Sequence, residues 1–247
     1  MKVLATYSIK GGVGKTTSAV NLAYEAARAG SRTLVWDLDA QGAASFYLRT
    51  RAKVKGGTER LVSAKGALAA HIRDTDVAGM HLIPGDFSLR HMDLHLDQTK
   101  RPAERLAALL APLADRYDVA FLDCPPNISL ASESVFGAAD ALLVPVIPTT
   151  LSARTLSQLA RFLDDQPGAP LLLPHFTMVD GRRKLHRELA TSLAAKWPVF
   201  LVTAIPAASV VERMGIERAP VATFAPTSPA TLAFRSLWSE VAARLWP

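Results

Sequence analysis

A glycine-rich segment near the start of the chain lies between a short apolar run and a helical pattern. It reads Lys10-Gly11-Gly12-Val13-Gly14-Lys15-Thr16-Thr17. Glycines let a backbone wrap an anion without Cβ clashes, and successive N–H groups at a helix N-terminus then face that anion. Between a strand and a helix, such a segment predicts a phosphate-binding loop (P-loop) in which residues 10–17 contact a nucleotide.

The basic and hydroxyl side chains at the end of the P-loop have separate expected roles. Lys15 should reach the β- and γ-phosphates, the Thr16 hydroxyl should ligate Mg²⁺, and Thr17 is placed to contact the α-phosphate. The segment departs from the standard motif at one position, because Ile9 stands where that motif has a glycine. A glycine-rich turn with an incidental lysine is the alternative interpretation.

Short apolar runs alternate with longer amphipathic patterns along the chain. The runs predict strands at 3–7, 33–36, 81–83, 119–122, 141–146, 171–173 and 199–202. The amphipathic patterns predict helices at 16–29, 89–96, 103–113, 130–138, 153–163, 185–196 and 230–245. Residues 49–66 form the best candidate for a long loop. This alternation predicts an α/β fold: a mainly parallel twisted sheet with helices on both faces, in a single domain spanning 1–247.

Acidic residues follow two of the apolar runs. The second predicted strand leads into Asp37 and Asp39, which share a face if the strand is still extended there. The run 119–122 is followed directly by Asp123, which we expect to bind Mg²⁺ directly or through water. The carboxyl ends of strands form the ligand edge of an open α/β sheet. A pair of surface acids at a strand end is the alternative interpretation of Asp37 and Asp39.

Together these motifs resemble the ParA/MinD family of P-loop ATPases, whose deviant Walker A motif has a lysine early in the loop. Lys10 occupies that position. In the family this lysine crosses a dimer interface to the partner's nucleotide, where it acts like an arginine finger supplied in trans. The resemblance implies ATP as the nucleotide and Mg²⁺ as the metal ion. The alternative for Lys10 is a solvated loop lysine.

The acidic segments resemble the two switch motifs of the same family. Asp37-Leu38-Asp39-Ala40-Gln41-Gly42 resembles switch I, with Ala40 in place of the usual proline. The resemblance implies that Asp39 positions the attacking water and that Asp37 lies nearer the Mg²⁺ shell. Asp123-Cys124-Pro125-Pro126 resembles switch II, with Asp123 as the metal-binding acid. We interpret Cys124 as a small buried residue rather than a nucleophile.

The resemblance covers nearly the whole chain, although its later parts are less specific. Residues 176–182 resemble the family's segment near the adenine, which implies nucleotide contacts for Met178 and Asp180. Residues 205–206 resemble the start of a later motif at the nucleotide edge, which implies a contact for Pro206. The family usually continues with an arginine-containing stretch, whereas residues 207–212 contain no arginine.

The net charge of +6 is compatible with an acidic partner such as DNA. One basic cluster consists of Arg182, Arg183, Lys184 and Arg187, and a second of Arg49, Arg51, Lys53 and Lys55. We expect at least one cluster to contact the phosphate backbone without regard to base sequence and with strong salt dependence. A solvated basic face is the alternative for each cluster.

The family resemblance also implies a mode of action. It implies an ATP-dependent homodimer that binds DNA non-specifically and hydrolyses ATP slowly, stimulated by a ParB-like protein or a cargo adaptor. Its cargo would be a plasmid, a chromosome or a protein cluster, in the bacterial cytoplasm and near the nucleoid. The alternatives are a membrane-associated MinD-like regulator and an ATP-coupled metabolic enzyme. The 230–245 pattern favours core packing over membrane binding, because its polar face is not richly basic.

Overall fold

The computed structural model of the chain describes residues 1–51, 53–54, 56–63 and 68–246. Their strands are β1 (Lys2–Thr6), β2 (Thr33–Asp37), β3 (Arg73–Asp74), β4 (Met80–Ile83), β5 (Val119–Asp123), β6 (Ala141–Val146) and β7 (Leu171–Phe176). They form a seven-stranded sheet in the order β3-β4-β2-β5-β1-β6-β7. Neighbouring strands are parallel, except that β3 runs antiparallel to β4 at one edge.

Helices connect and cover these strands. The α-helices are α1 (Lys15–Arg28), α2 (Ala43–Tyr47), α3 (Gly57–Val62), α4 (Met92–Asp97), α5 (Arg105–Leu110), α6 (Leu130–Ala138), α7 (Thr150–Asp164), α8 (Lys184–Lys196), α9 (Ser209–Glu212), α10 (Met214–Glu217), α11 (Val221–Phe224) and α12 (Pro229–Leu245). Short 3₁₀ turns occupy Leu68–His71, Phe87–His91, Pro102–Glu104 and Ala111–Leu113.

The interiors of the central strands are apolar because helices cover both faces of the sheet. In β5, Val119 and Phe121 belong to the core under α1, α2 and α12, whereas Ala120 and Leu122 belong to the core under α3 to α8. Strands that are buried on both faces read as continuous apolar runs rather than alternating ones. The mainly parallel α/β sheet with helices on both faces, predicted from the sequence, is confirmed.

The strand predicted at 199–202 is wrong, and α12 provides the reason. The Glu240 carboxylate accepts hydrogen bonds from the backbone N–H groups of Val202 at 2.6 Å and Thr203 at 2.9 Å. The neighbouring Leu201 N–H still donates to a carbonyl of β7 at 2.9 Å. The segment therefore runs beside β7, but the N–H groups of Val202 and Thr203 bond to Glu240 instead of to the sheet, so no regular strand forms.

Two predicted helices are shorter than expected, and several short helices were not predicted. The 89–96 pattern divides into a 3₁₀ turn and α4, and 103–113 divides into α5 flanked by two 3₁₀ turns. Pro112 contributes to the second division because it has no N–H group to donate. The predicted loop 49–66 contains α3, and its residues 52, 55 and 64–66 lie outside the described part of the chain.

Helices near the end of the chain support the two helices that begin at the ligand edge. The Asn21 side chain of α1 accepts a hydrogen bond from the Val221 N–H at 2.9 Å. After α2, Arg49 donates to the Glu217 carbonyl at 2.8 Å, while Arg218 donates back to the Phe46 carbonyl at 3.0 Å. Both α1 and α2 are therefore held in place by the segment that contains α10 and α11.

The last helix, α12, packs against the sheet through one apolar stripe. The buried members of this stripe are Phe234, Leu237, Trp238, Val241 and Leu245. This is the core-packing arrangement that the 230–245 pattern predicted. Across the described ranges, no helix combines the length and the apolar character needed to cross a membrane.

Candidate functional site

The register of three neighbouring strands brings Thr6, Asp123 and Asp37 side by side. Thr6 of β1 pairs with Asp123 of β5, and Asp123 pairs with Asp37 of β2. Paired residues on parallel strands point to the same face of a sheet. The residues two positions earlier in each strand pack in the core under α1. All three side chains therefore lie at the carboxyl ends of their strands, on the α1 face.

The P-loop connects β1 to α1 above these side chains. Gly12 and Gly14 have φ values of 70° and 88°, a left-handed conformation that glycine adopts without steric cost. A Cβ atom on Gly14 would also lie 3.4 Å from the Thr177 hydroxyl. The loop ends at the first turn of α1, where backbone N–H groups have no partner within the helix. The sequence thus folds here into a site for an anion.

Lys15 begins α1 and is buried beside the acids at the strand ends. Burial lowers the pKa of Lys15, whereas the nearby negative charges of Asp123 and Asp39 raise it. A buried ammonium group requires partners of opposite charge. Lys15 is therefore a buried cation of the P-loop close to these carboxylates, and its contact with phosphate remains a prediction.

Asp123 is fully buried at the end of β5. Burial raises its pKa well above the usual range, and Asp37 adds to this, while Thr16 and Lys15 act in the opposite direction. The Thr6 hydroxyl lies 3.4 Å from Asp123 Oδ1, but Oδ2 has no hydrogen-bond partner among the described residues. A buried carboxylate oxygen without a partner fits a Mg²⁺ ion, which prefers oxygen ligands.

Asp37 is also buried, but its own loop supplies partners for both carboxylate oxygens. Oδ2 accepts hydrogen bonds from the N–H and hydroxyl groups of Ser45, at 2.8 and 2.7 Å, and Oδ1 accepts one from the Asp39 N–H at 3.2 Å. Burial raises the Asp37 pKa to about 6, against the lowering effect of these bonds. A metal role for Asp37 remains a prediction.

Asp39 and Lys10, which the family resemblance assigns to catalysis, lie half-buried at this edge. Asp39 Oδ1 accepts a hydrogen bond from the Gln41 N–H at 2.9 Å, which is an Asx turn leading into α2. The backbone N–H of Lys10 donates to the Ser8 hydroxyl at 3.3 Å. Positioning of water by Asp39 and a contact of Lys10 with a partner's nucleotide both remain predictions.

The segment after β5 packs against the P-loop. Pro126 Cγ lies 3.9 Å from the position that a Cβ atom on Gly11 would take. The Tyr7 hydroxyl donates to the Asn127 carbonyl at 2.8 Å, and burial raises the Tyr7 pKa to about 12. Burial, followed by the charge of Asp123, raises the Cys124 pKa well above its usual range. The neutral Cys124 thiol is therefore a buried packing residue.

The segment predicted near the adenine and the one predicted at the nucleotide edge lie together beside the P-loop. The Val179 N–H donates to the Ile205 carbonyl at 3.0 Å, and Val179 forms an isolated parallel bridge with Pro206. The Met178 methyl carbon lies 3.6 Å from where a Cβ atom on Gly14 would stand. The structure thus brings Met178 and Pro206 to one side of the loop, and their contacts with a nucleotide remain predictions.

Asp180 is in the same region, but its carboxylate is engaged by Arg182. Arg182 Nε donates to Oδ1 at 3.0 Å and Nη2 donates to Oδ2 at 3.1 Å. These hydrogen bonds lower the Asp180 pKa to about 2. Both carboxylate oxygens of Asp180 are therefore engaged by Arg182, and the contact of Asp180 with a nucleotide remains a prediction.

The first basic cluster is exposed at the start of α8, and parts of it have local partners. Lys184 Nζ lies 3.5 Å from Glu188 Oε1, and Arg187 donates to the Gly181 carbonyl at 2.6 Å. Arg182 is paired with Asp180, as described above. Exposed ion pairs of this kind contribute little to stability. The side chains of this cluster could therefore exchange these weak local partners for the phosphates of a polyanion.

The second basic cluster contains residues of two kinds. Arg49 has a left-handed backbone, with φ of 53°, and its guanidinium donates to the carbonyls of Arg218 at 3.1 Å and Glu217 at 2.8 Å. Arg51 and Lys53 are exposed, whereas Lys55 lies outside the described residues. Arg49 thus joins two parts of the fold, and Arg51 and Lys53 are surface charges.

The fold and the site define a P-loop nucleotide-binding protein. A family model described as an AAA domain matches residues 1–166. The chromosome-partitioning ATPase Soj of Thermus thermophilus is 34% identical, over 98% of this chain and 96% of Soj. The chromosome partitioning protein ParA of Caulobacter vibrioides is 32% identical, over 79% of this chain and 76% of ParA. This chain belongs to the ParA/MinD-type family of P-loop ATPases.

Two solved structures illustrate the same fold. Apo McdA of Cyanothece superposes with a TM-score of 0.86 at 21% identity, covering 98% of this chain and 99% of McdA. Cobyrinic acid a,c-diamide synthase of Mycobacterium smegmatis, with a bound ATP analogue and magnesium, superposes with a TM-score of 0.83 at 24% identity. That match covers 99% of this chain and 96% of the synthase. At this level of identity, both likenesses concern the fold alone.

The sequence analysis missed two residues of the site, Ser45 and Gly85. Ser45 is fully buried in α2 and bonds to Asp37, while Gly85 follows β4 and donates its N–H to the Ser45 hydroxyl at 2.9 Å. A serine and a glycine are common residues, and neither lies in a recognisable motif here. Their importance follows from the pairing of β2 with β4, which the sequence does not specify.

Proposed function

We propose that this chain is an ATP-dependent dimerising switch of the ParA type, which segregates or positions a plasmid, a chromosome or a protein cluster. The observation that carries the proposal is that Lys15 of the P-loop is buried at the sheet edge where Asp123 ends β5 and Asp39 follows β2. Relatives named for chromosome partitioning, one of them matched over nearly its whole length, support the choice of cargo class.

The side chains at the ligand edge divide the work of ATP binding and hydrolysis. The P-loop amides and Lys15 hold the triphosphate, and Thr16 and Asp123 are the residues that would hold Mg²⁺. When bound, Mg²⁺ neutralises charge on the β- and γ-phosphates. Asp39 orients the attacking water, and Lys10 reaches the nucleotide of a second subunit. Hydrolysis is slow until a ParB-like protein or a cargo adaptor stimulates it.

ATP-dependent dimerisation is the direct test of this proposal. We expect a monomer without nucleotide and a dimer with ATP and Mg²⁺, measured by sedimentation velocity. Lys10→Ala should bind ATP normally but remain monomeric, because Lys10 acts across the interface and Lys15 holds the phosphates within one subunit. Lys2→Ala, at the opposite end of β1 from the P-loop, is the control. A wild-type protein that stays monomeric with ATP would exclude the dimerising switch.

DNA retention by the ATP-bound protein is expected to be independent of base sequence and to weaken steeply with salt. The logarithm of affinity should fall with the logarithm of salt concentration by roughly 0.9 per neutralised phosphate. Alanine at Arg182, Arg183, Lys184 and Arg187 tests one cluster, and alanine at Arg51 and Lys53 tests the other. Electrophoretic mobility shifts on two unrelated duplexes provide the measurement.

The contrary results are equally specific. A cluster whose loss leaves both the affinity and the salt slope unchanged is a solvated face. If the wild-type protein with ATP binds no DNA even at low salt, the DNA-based part of the proposal fails. ATP-dependent binding to liposomes would then favour the MinD-like alternative. Consumption of ATP only with a small-molecule substrate would favour the metabolic enzyme.

A further inference from the structure

Hydrogen bonds join the two ends of the segment from Asp37 to Ser45, which begins at the end of β2. Asp37 is the last residue of the strand, and Ser45 lies in α2. Their hydrogen bonds, at 2.8 Å from the Ser45 N–H and 2.7 Å from its hydroxyl, both end at Asp37 Oδ2. Because both residues are fully buried, these bonds are shielded from water. They fix the distance between the two ends of the segment that contains Asp39.

Gly85, which follows the neighbouring strand β4, contacts both ends of this segment. Its N–H donates to the Ser45 hydroxyl at 2.9 Å, so that hydroxyl donates to Asp37 and accepts from Gly85. A Cβ atom on Gly85 would stand 2.7 Å from the Asp39 carbonyl oxygen and 2.8 Å from Asp37 Cγ. Such approaches are too short for any side chain, so the backbone after β4 packs directly against the segment.

The backbone of Asp39 lies between these supports. Its N–H donates to Asp37 Oδ1 at 3.2 Å, and its carbonyl accepts from the Gly42 N–H at 2.9 Å. The direction of the Asp39 carboxylate depends on this backbone, since only two rotatable bonds separate them. The Ser45 hydroxyl therefore acts on Asp39 through the Asp37 carboxylate, although Ser45 has no hydrogen bond to Asp39 among the described contacts.

We propose that Ser45 is a positioning residue for ATP hydrolysis, which holds Asp37 so that Asp37 in turn holds the backbone of Asp39. This inference rests on the proposed function, in which Asp39 orients the attacking water. Ser45 belongs to neither the P-loop nor the pair of residues assigned to Mg²⁺. Its removal should therefore change turnover and leave the affinity for ATP nearly unchanged.

Ser45→Ala removes the hydroxyl, and Ser134→Ala is a matched control. Ser134 is fully buried in α6, where its hydroxyl accepts a hydrogen bond from the Leu106 N–H at 3.1 Å. Either change removes one buried hydrogen-bonding hydroxyl and should lower Tm by roughly 2–6 °C. Only Ser45→Ala should lower kcat, by about tenfold or more, because a small misplacement of a catalytic group has that effect.

Two further measurements separate positioning from general destabilisation. The affinity for a fluorescent ATP analogue should stay within about twofold of wild type in Ser45→Ala, since the P-loop is intact. Without nucleotide, amide hydrogen exchange in residues 37–45 should be roughly tenfold faster in Ser45→Ala and unchanged in Ser134→Ala. If Ser45→Ala is not recovered folded, Ser45→Cys keeps the size of the side chain and weakens the hydrogen bond.

The wild-type protein and Asp39→Ala are measured in the same assays. If wild type hydrolyses ATP and Asp39→Ala does not, while Ser45→Ala or Ser45→Cys keeps the wild-type kcat, Ser45 has no positioning role. Equal losses of kcat in Ser45→Ala and Ser134→Ala would also overturn the inference. If instead wild type lacks ATPase activity, or Asp39→Ala retains it, the proposed function itself fails.

Discussion

Lys15→Ala is expected to abolish detectable ATP hydrolysis and to weaken ATP binding by at least roughly 30-fold. Lys15 is a buried cation of the P-loop, close to the acids at the strand ends. Truncating one partner of a buried charge pair costs about 2–5 kcal/mol of binding free energy, and each 1.4 kcal/mol is about tenfold in affinity. The variant would also leave Asp123 and Asp39 without their neighbouring positive charge, so incoming phosphates would be repelled.

Isothermal titration with ATP and a phosphate-release assay measure these effects. Lys2→Ala is a suitable control, because Lys2 begins β1 at the opposite end of the strand and pairs with Asp140 at 3.4 Å near the surface. The control should bind and hydrolyse ATP like the wild type. Unchanged turnover in Lys15→Ala would show that residues 10–17 are not a working P-loop.

Asp39→Ala should leave ATP bound and lower kcat by about 10²–10⁴-fold, the usual contribution of a group that handles the proton of a nucleophile. The variant loses the Asx-turn bond from the Gln41 N–H, but the backbone bonds of Asp39 to Asp37 and Gly42 do not involve its carboxylate, so they should still hold the switch I segment in place. Because a dimer that depends on ATP is expected to separate once ATP is hydrolysed, the variant should accumulate as an ATP-bound dimer.

Single-turnover hydrolysis and size-exclusion chromatography with ATP test this expectation. Asp74→Ala is the control, because Asp74 lies on the edge strand β3 with 95% of its side chain exposed. A rate of hydrolysis in Asp39→Ala equal to that of the wild type would remove Asp39 from the mechanism. A variant that no longer binds ATP would show that Asp39 acts in binding rather than in hydrolysis.

The sequence predicted those parts of the molecule that are encoded locally. The P-loop is eight consecutive residues whose glycines, lysines and threonines have direct physical roles, and the central strands are apolar because both of their faces are buried. The predicted strand at 199–202 failed because Glu240, about forty positions away, binds its amides. The contact between Ser45 and Gly85 depends on how β2 and β4 pair, so no local pattern could indicate it.

Helices α1 and α2 are held by residues that lie much later in the sequence, so during synthesis both helices are made before their partners. The P-loop and all three strand-end acids lie in the part matched by the family model, residues 1–166. However, Arg49 and Asn21 bond to Glu217 and Val221, which leave the ribosome well after residue 166. A nascent chain, or a fragment that stops at residue 166, would therefore contain every P-loop residue expected to bind phosphate. Its helices α1 and α2, however, would still lack their packing partners.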